Sequence, residues 1–430
     1  MKYNPIPSNL FTENRKRLAA LMQPGSLAVF QSNDVLPTNA DGHMPFVQNA
    51  DLFYLSGIDQ EESILLVFPD TKWNGHQEVL FLRETNEHIA VWEGHKYTKE
   101  EATKASGVQT VYWLSQFKSV FHTLMSEAQG VYLNTNEHTR AVIETQTRDA
   151  RFIDWCKQTY PLHHYYRVAP LMHHLRAIKS PYELELIQEA CRITGLGFER
   201  LLKFVKPGVM EYEIEAELIH EFIRNRSKGF AYGPIIASGK NACVLHYTQN
   251  NQPCKDGDVI LLDVAAEYAN YASDLTRCIP VSGRFTTRQK AVYNAVLRVQ
   301  RKAMQRLVVG NNWDQYHQEV GTFMEEELVN LGLLKAEDVR NQNPSAPLYK
   351  KYFMHGTSHF LGLDVHDVGS KYRAFEAGMV FTCEPGIYIP EEGLGIRLEN
   401  DILITEKGAV DLMAHIPIEA DEIEAAMQRP

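Results

Sequence analysis

The chain has 430 residues, 44% of them hydrophobic and 23% charged, the profile of an ordinary water-soluble protein long enough for two hydrophobic cores. Its formal net charge of −11 argues against nucleic acid or an anionic membrane as a partner, since both attract basic surfaces. Six scattered cysteines (Cys156, Cys191, Cys243, Cys254, Cys278 and Cys383) without CxxC spacing point to reduced thiols in the cytoplasm, not to a disulfide framework or a zinc ribbon.

The opening stretch, MKYNPIPSNLFTENRKRL, has basic residues but lacks the apolar core of a signal peptide. The longest apolar run, Ile64 to Phe68, is far too short to span a bilayer. Phe11 to Met22 reads as an amphipathic helix closed by Pro24-Gly25, and Leu27 to Phe30 as a buried strand. A polar loop (34–48) and a short aromatic segment, Leu52 to Leu55, lead to strands at 64–68 and 78–82. A charged segment then ends in Val91-Trp92-Glu93-Gly94. Short strands alternating with helical patterns predict an α/β layer here, and a boundary near 172 divides the chain into domains 1–172 and 173–430. Just beyond it, Ser180-Pro181-Tyr182-Glu183 carries a helix start: Ser as N-cap, Pro at N1 and Glu at N3. Helical patterns dominate from 182 to 330, interrupted by strands near 234–238 and 258–280.

The chemistry concentrates in three stretches. In Met354-His355-Gly356-Thr357-Ser358-His359-Phe360-Leu361-Gly362-Leu363-Asp364-Val365-His366-Asp367-Val368-Gly369, three histidines fall at spacings of four and seven. This is not the helical zinc motif, which needs Glu directly after the first His, and Gly356, Thr357 and Ser358 are poor helix formers. Extended chain and turn are expected, with one histidine at most on a metal. The second stretch holds two acidic residues in apolar strands, Asp263 (DVILLDVA) and Asp274 (ASDLTRCIP). A hairpin turning at Tyr268-Ala269 pairs Glu267 with Asn270 and sets Asp263 directly opposite Asp274, roughly 4.5–5.5 Å apart at Cβ. Opposed carboxylates are destabilising unless a cation sits between them or they share a proton, and a bound metal is the economical answer. In the third stretch, Glu384 ends a strand before a Pro-Gly turn, and Arg397 and Glu399 share one face of an alternating strand. Four carboxylates and one imidazole suit two hard or borderline divalent ions. Two such ions, roughly 3.5–4 Å apart, share a water, lower its pKa and clamp a developing oxyanion.

The pattern resembles the pita-bread metallopeptidases, which comprise methionine aminopeptidase, aminopeptidase P and prolidase, together with the non-metal creatinases. The resemblance covers essentially the whole chain. It implies an α/β (α+β) architecture: an amino-terminal domain like that of creatinase and aminopeptidase P, then a pita-bread catalytic domain. By matching motifs it implies metal ligation by Asp263, Asp274, His359, Glu384 and Glu399, with Mn²⁺ first and Co²⁺, Zn²⁺ or Fe²⁺ as substitutes. It further implies that His246 and His366 contact substrate and the tetrahedral intermediate, and that Glu384 doubles as general base and acid. His355 and Tyr388 would line the pocket, and Arg397 would brace the ligands or orient substrate.

Within the family, the long amino-terminal domain separates the chain from methionine aminopeptidase, and FTENRKRLAALMQPGSLAVF, QNADLFYLSGIDQEESILLVFPD and AVWEG resemble aminopeptidase P. There, a tryptophan at the position of Trp92 enters a neighbouring subunit's site; plain core packing is the alternative for Trp92. The implied activity is release of an N-terminal residue from peptides with proline second, by a homo-oligomer (dimer or tetramer) with no nucleic-acid or membrane partner. A prolidase, with Arg397 or Arg373 holding the proline carboxylate, is the second reading. A non-catalytic pita-bread binding protein is the third, and retention of all five ligands counts against it.

Overall fold

In the amino-terminal sheet the inner strand Ile64–Val67 is apolar and buried along its whole length, whereas the edge strand His164–Arg167 has exposed polar residues at both ends. The computed structural model describes residues 3–428. They fall into two compact units, up to Arg176 and from Ala177 onward. In the first, β1 (Ser26–Gln31), β2 (Ile64–Val67), β3 (Glu78–Leu82), β4 (Thr110–Trp113), β5 (Gly130–Leu133) and β6 (His164–Arg167) form one sheet in the order β4-β3-β2-β1-β5-β6. β1, β2 and β3 run antiparallel in succession, and the β3–β4, β1–β5 and β5–β6 pairs are parallel. Leu27, Val29, Leu66, Phe81, Phe117, Phe121 and Val131 pack into one buried core.

The predicted first helix is observed as Asn9–Leu21. The aromatic segment 52–55 folds as a helix, Ala50–Ser56. Its start is set by Asn49, whose side chain accepts the N–H groups of Asp51 and Leu52, and its end by Gly57 at φ 66°. A Cβ on Gly57 would lie 2.2 Å from the Phe11 ring, so glycine there serves both the left-handed turn and close packing. Val91 and Trp92 sit on a short helix, Glu87–Glu93, and Trp92 is 78% exposed. Core packing of Trp92 is thereby overturned: the seven-residue helix buries no side chain.

The second unit opens with the capped helix Pro181–Phe204, where Ser180 and Glu183 exchange side-chain-to-backbone hydrogen bonds and Pro181 occupies the first turn. β7 (Ile235–Ser238), β8 (Val259–Asp263), the short pair β9 (Glu267–Tyr268) and β10 (Tyr271–Ala272), and β11 (Thr276–Pro280) follow. After two long helices, Thr287–Met304 and Trp313–Asn330, come β12 (Val380–Cys383), β13 (Gly386–Ile389), β14 (Leu394–Arg397), β15 (Asn400–Thr405) and β16 (Gly408–Asp411). They make antiparallel groups β11-β8-β7, β12-β15-β16 and β13-β14.

Two expectations of register are corrected. The hairpin tip is Ala269-Asn270, both at positive φ (52° and 68°), so Tyr268 pairs with Tyr271 and Asp263 pairs with Thr276, not Asp274. Two consecutive residues in the left-handed region are what a tight two-residue hairpin needs, and that requirement overrides a turn placed one residue earlier. The Pro-Gly turn after Glu384 is also absent. Gly386 begins β13, so Glu384 and Pro385 carry the chain from one strand group to another.

Candidate metal centre

A register that differs by two residues leaves side chains on the same face, so Asp263 and Asp274 remain diagonal neighbours. The Tyr232 hydroxyl links them, 2.7 Å from Asp263 Oδ1 and 2.6 Å from Asp274 Oδ1. The histidine segment is extended, as expected, and runs beside β12: Thr382 N–H donates to His359 O, Leu361 N–H to Val380 O and Glu384 N–H to Thr357 O. That pairing puts His359 and Glu384 on one side. His359 Nε2 lies 3.4 Å from Asp274 Oδ2 and 3.8 Å from Glu384 Oε1. Its Nδ1 is engaged by Phe360 O at 2.9 Å, which directs Nε2 into the cluster.

β14 ends at Arg397 and β15 begins at Asn400, so the alternation expected through 395–404 is broken at Leu398-Glu399. Arg397 and Glu399 nonetheless converge on one hydroxyl. Thr276 Oγ1 accepts Arg397 Nε–H at 3.1 Å and donates to Glu399 Oε2 at 2.6 Å. Arg397 also donates to Asp263 Oδ2 at 2.5 Å and to the Tyr388 hydroxyl at 2.9 Å. Tyr388 in turn reaches His355 Nε2 at 2.8 Å. The rings of His359 and His366 meet edge to face with centroids 4.3 Å apart. His246 is exposed on the loop after β7, within electrostatic reach of His355. Trp92 belongs to the other unit and is not among the residues brought together here.

Burial and like charge load this cluster with protons. Burial raises the Glu384 carboxyl to about 7 against the pull of His359 and Arg397. Glu399 is pushed up by burial and by Asp274, Glu384 and Asp263, and Asp263 by burial despite Arg397. For His359, burial works downward, but the Asp274 hydrogen bond and the charge of Glu384 prevail and hold it up to about 8. His355 is depressed to about 3, first by burial and then by Arg397, so it is neutral and its 3.6 Å approach to Glu384 is no ion pair. Its Nδ1–H donates to Gly356 O, which leaves Nε2 to accept the Tyr388 hydroxyl.

A cation answers this strain. One ligand atom each from Asp274, His359 and Glu399 lies within 4.8 Å of the others, and Asp263 and Glu384 border them through Tyr232 and His359. Oxygen donors with a single imidazole fit hard or borderline divalent ions. The sequence reading missed three supports: Tyr232, Thr276 and Asp401. Fully buried Asp401 accepts the Asp274 N–H at 3.0 Å and the Cys191 thiol at 3.4 Å. An acid inside the apolar run NDILIT was the available signal for it, and correct hairpin register would have revealed Thr276. Tyr232 left no local trace, since its partners lie 31 and 42 residues away.

A pita-bread unit with a buried carboxylate–imidazole cluster defines a metallopeptidase. The model of metallopeptidase family M24 matches residues 185–406, more than half of the chain, and that of the aminopeptidase P N-terminal domain matches residues 11–132. The chain belongs to metallopeptidase family M24, and membership implies divalent metal ions. It is 36% identical to a Xaa-Pro aminopeptidase of Haemophilus influenzae, with 98% of each chain covered. Among solved structures it is similar to Pseudomonas aeruginosa aminopeptidase PepP (TM-score 0.89, 32% identity, 98% of each chain). It is likewise similar to Escherichia coli aminopeptidase P with the inhibitor Pro-Leu (TM-score 0.87, 32% identity, 99% of each chain).

Proposed function

We propose that the chain is a metal-dependent Xaa-Pro aminopeptidase, hydrolysing the bond between an N-terminal residue and a following proline. The convergence of Asp263, Asp274, His359, Glu384 and Glu399 on one buried centre carries this reading. In it those five residues hold two divalent ions, Mn²⁺ first. Bound ions supply a water of lowered pKa and polarise the scissile carbonyl. Glu384, buried beside His359, takes the proton of the attacking water and returns it to the departing proline nitrogen. His246 and His366 donate to the oxygen that gains charge. Neutral His355 and Tyr388 line the pocket for the proline side, and Arg397 fixes Tyr388 and Asp263 in place.

The prolidase reading needs a cation for the proline carboxylate. Arg397 is committed to Asp263 and Tyr388, and Arg373 to Glu376, which speaks against it, as do relatives named Xaa-Pro aminopeptidases. An exposed Val91-Trp92 pair supports an oligomer in which Trp92 meets a neighbouring subunit. Six free cysteines, and no helix among the described residues long and apolar enough to cross a membrane, support a cytoplasmic setting.

The deciding experiment is Mn²⁺-supplemented turnover of an Xaa-Pro dipeptide beside an Xaa-Pro-Yaa-Zaa tetrapeptide. Cleavage of the tetrapeptide at the Xaa-Pro bond is expected. Cleavage of the dipeptide alone would make the protein a prolidase. His359→Ala and Glu384→Ala are each expected to lose orders of magnitude in kcat while the fold survives.

A further inference from the structure

His246 stands exposed on the segment that leaves β7 at Ser238 and returns at Gln252. A loop of that length is a poor place from which to aim an imidazole unless something fixes its course. One carboxylate does. Glu211, the first residue of the helix Glu211–Arg224, is completely buried. Its Oε1 accepts the Ser238 N–H at 2.9 Å and the Ser238 hydroxyl at 2.8 Å. Its Oε2 accepts the Tyr247 hydroxyl at 2.8 Å and the Gln252 N–H at 2.9 Å. The Glu211 N–H closes the ring of contacts by donating to Gln252 O at 3.0 Å.

Glu211 therefore holds the start of the loop, its end, and the residue directly after His246. Four hydrogen bonds fill the acceptor capacity of an ionised carboxylate, and bonds to a charged acceptor are the strong, directional kind. Asn250, held at φ 44°, adds a second tie: its Oδ1 accepts the Ile236 N–H at 3.0 Å and its Nδ2 donates to Pro234 O at 3.0 Å. Tyr247 is buried while the adjacent His246 is exposed and within electrostatic reach of His355. A loop needed only for connection is closed at less desolvation cost by apolar packing than by a buried charge.

We propose that Glu211 is a positioning residue: it fixes the loop through Ser238, Tyr247 and Gln252 so that the His246 imidazole meets the reacting carbonyl oxygen. The inference rests on the substrate-contacting role of His246 given above. Glu211 touches no reacting atom; it acts through Tyr247 and the loop backbone.

The test is a pair of double-mutant cycles on the metal-loaded enzyme with the tetrapeptide substrate. Glu211→Gln and Tyr247→Phe are made alone and combined with His246→Ala, and kcat, KM, metal content and melting temperature are read for each. Glu211→Gln is expected to lower kcat on the order of 10²-fold, the effect of misplacing a reacting group by about 1 Å. Tyr247→Phe, losing one hydrogen bond, is expected to lower it about tenfold. KM and metal content stay near wild type. In the His246→Ala background neither change costs more than about twofold further. Equal losses in both backgrounds overturn the proposal, because a general structural role would act without regard to His246. If Glu211→Gln does not fold, the Tyr247→Phe cycle decides alone. Full activity in His246→Ala overturns the assigned role of His246 and the positioning with it, whereas a slow His246→Ala with additive cycles overturns the positioning only.

Discussion

The Tyr232 hydroxyl lies 2.6 Å from Asp274 Oδ1 and has the Asp263 carboxylate as its other neighbour at 2.7 Å. One proton cannot be donated fully to both carboxylates, so the pair also draws on Arg397, which donates to Asp263, and on His359 beside Asp274. Tyr232→Phe should leave the fold intact and weaken divalent-ion affinity 10- to 100-fold, the usual effect of removing a group that orients metal ligands. Titration of the chelated variant with Mn²⁺, followed by activity and metal content, measures it.

Metal uptake by the chelated protein should release protons. Without metal, His359 titrates near 8 and Glu384 near 7, both above their ordinary values, so at pH 6.5 each carries a proton that an incoming ion displaces. Ligands bind only in the deprotonated form. Affinity is therefore expected to rise with pH through the range in which His359 and Glu384 lose their protons, and to go on rising while Glu399 and Asp263, whose carboxyls are also pushed up, still hold theirs. Calorimetry in buffers of different ionisation enthalpy counts the protons; a pH-independent affinity contradicts the assignment.

Thr276→Val exchanges a hydroxyl for a methyl at a point where Arg397 and Glu399 both need it. Leaving those buried groups without their partner costs about 1–3 kcal/mol each. A lower melting temperature together with lost metal retention on dialysis is the expected result.

Lys179 and Asp367 form a 2.9 Å ion pair with both side chains 1% exposed, next in sequence to His366. Lys179→Met strands a buried carboxylate and should destabilise the protein by about 3–5 kcal/mol. The double variant Lys179→Met/Asp367→Leu should recover much of that loss, as seen in chemical denaturation. Recovery of stability without recovery of kcat would separate the pair's part in folding from its part in holding the turn that bears His366.

What was legible in the sequence followed local rules. The Ser180 capping box, the strands at 27–30, 64–68 and 78–82 and the extended course of the histidine segment are written in short stretches of chain, whereas β4, β5 and β6 were not singled out. The family resemblance added the grouping of five separated residues, which no periodicity could supply. Register was misjudged because the positive φ values of Ala269 and Asn270 come from backbone geometry that neither residue type announces as glycine would. The helix Ala50–Ser56 was hidden because seven residues are too few to display a helical period. Supports such as Tyr232 and Glu211 act across 27 to 42 residues, so only the folded chain reveals them.

Cys383 is the immediate neighbour of Glu384, yet its thiol is buried among protein groups, receiving the Tyr316 hydroxyl at 3.7 Å and donating to Gln300 O at 3.6 Å. The centre thus keeps sulfur one residue away and presents oxygen and a single nitrogen. Without thiolate, a site has little power to single out one first-row ion, and intrinsic affinities favour copper and zinc over manganese whatever the protein prefers. In the proposed reading, the ion such a centre carries would then depend on the free concentrations its cell maintains as well as on ligand geometry, and the same polypeptide produced under a different metal supply would carry a different ion.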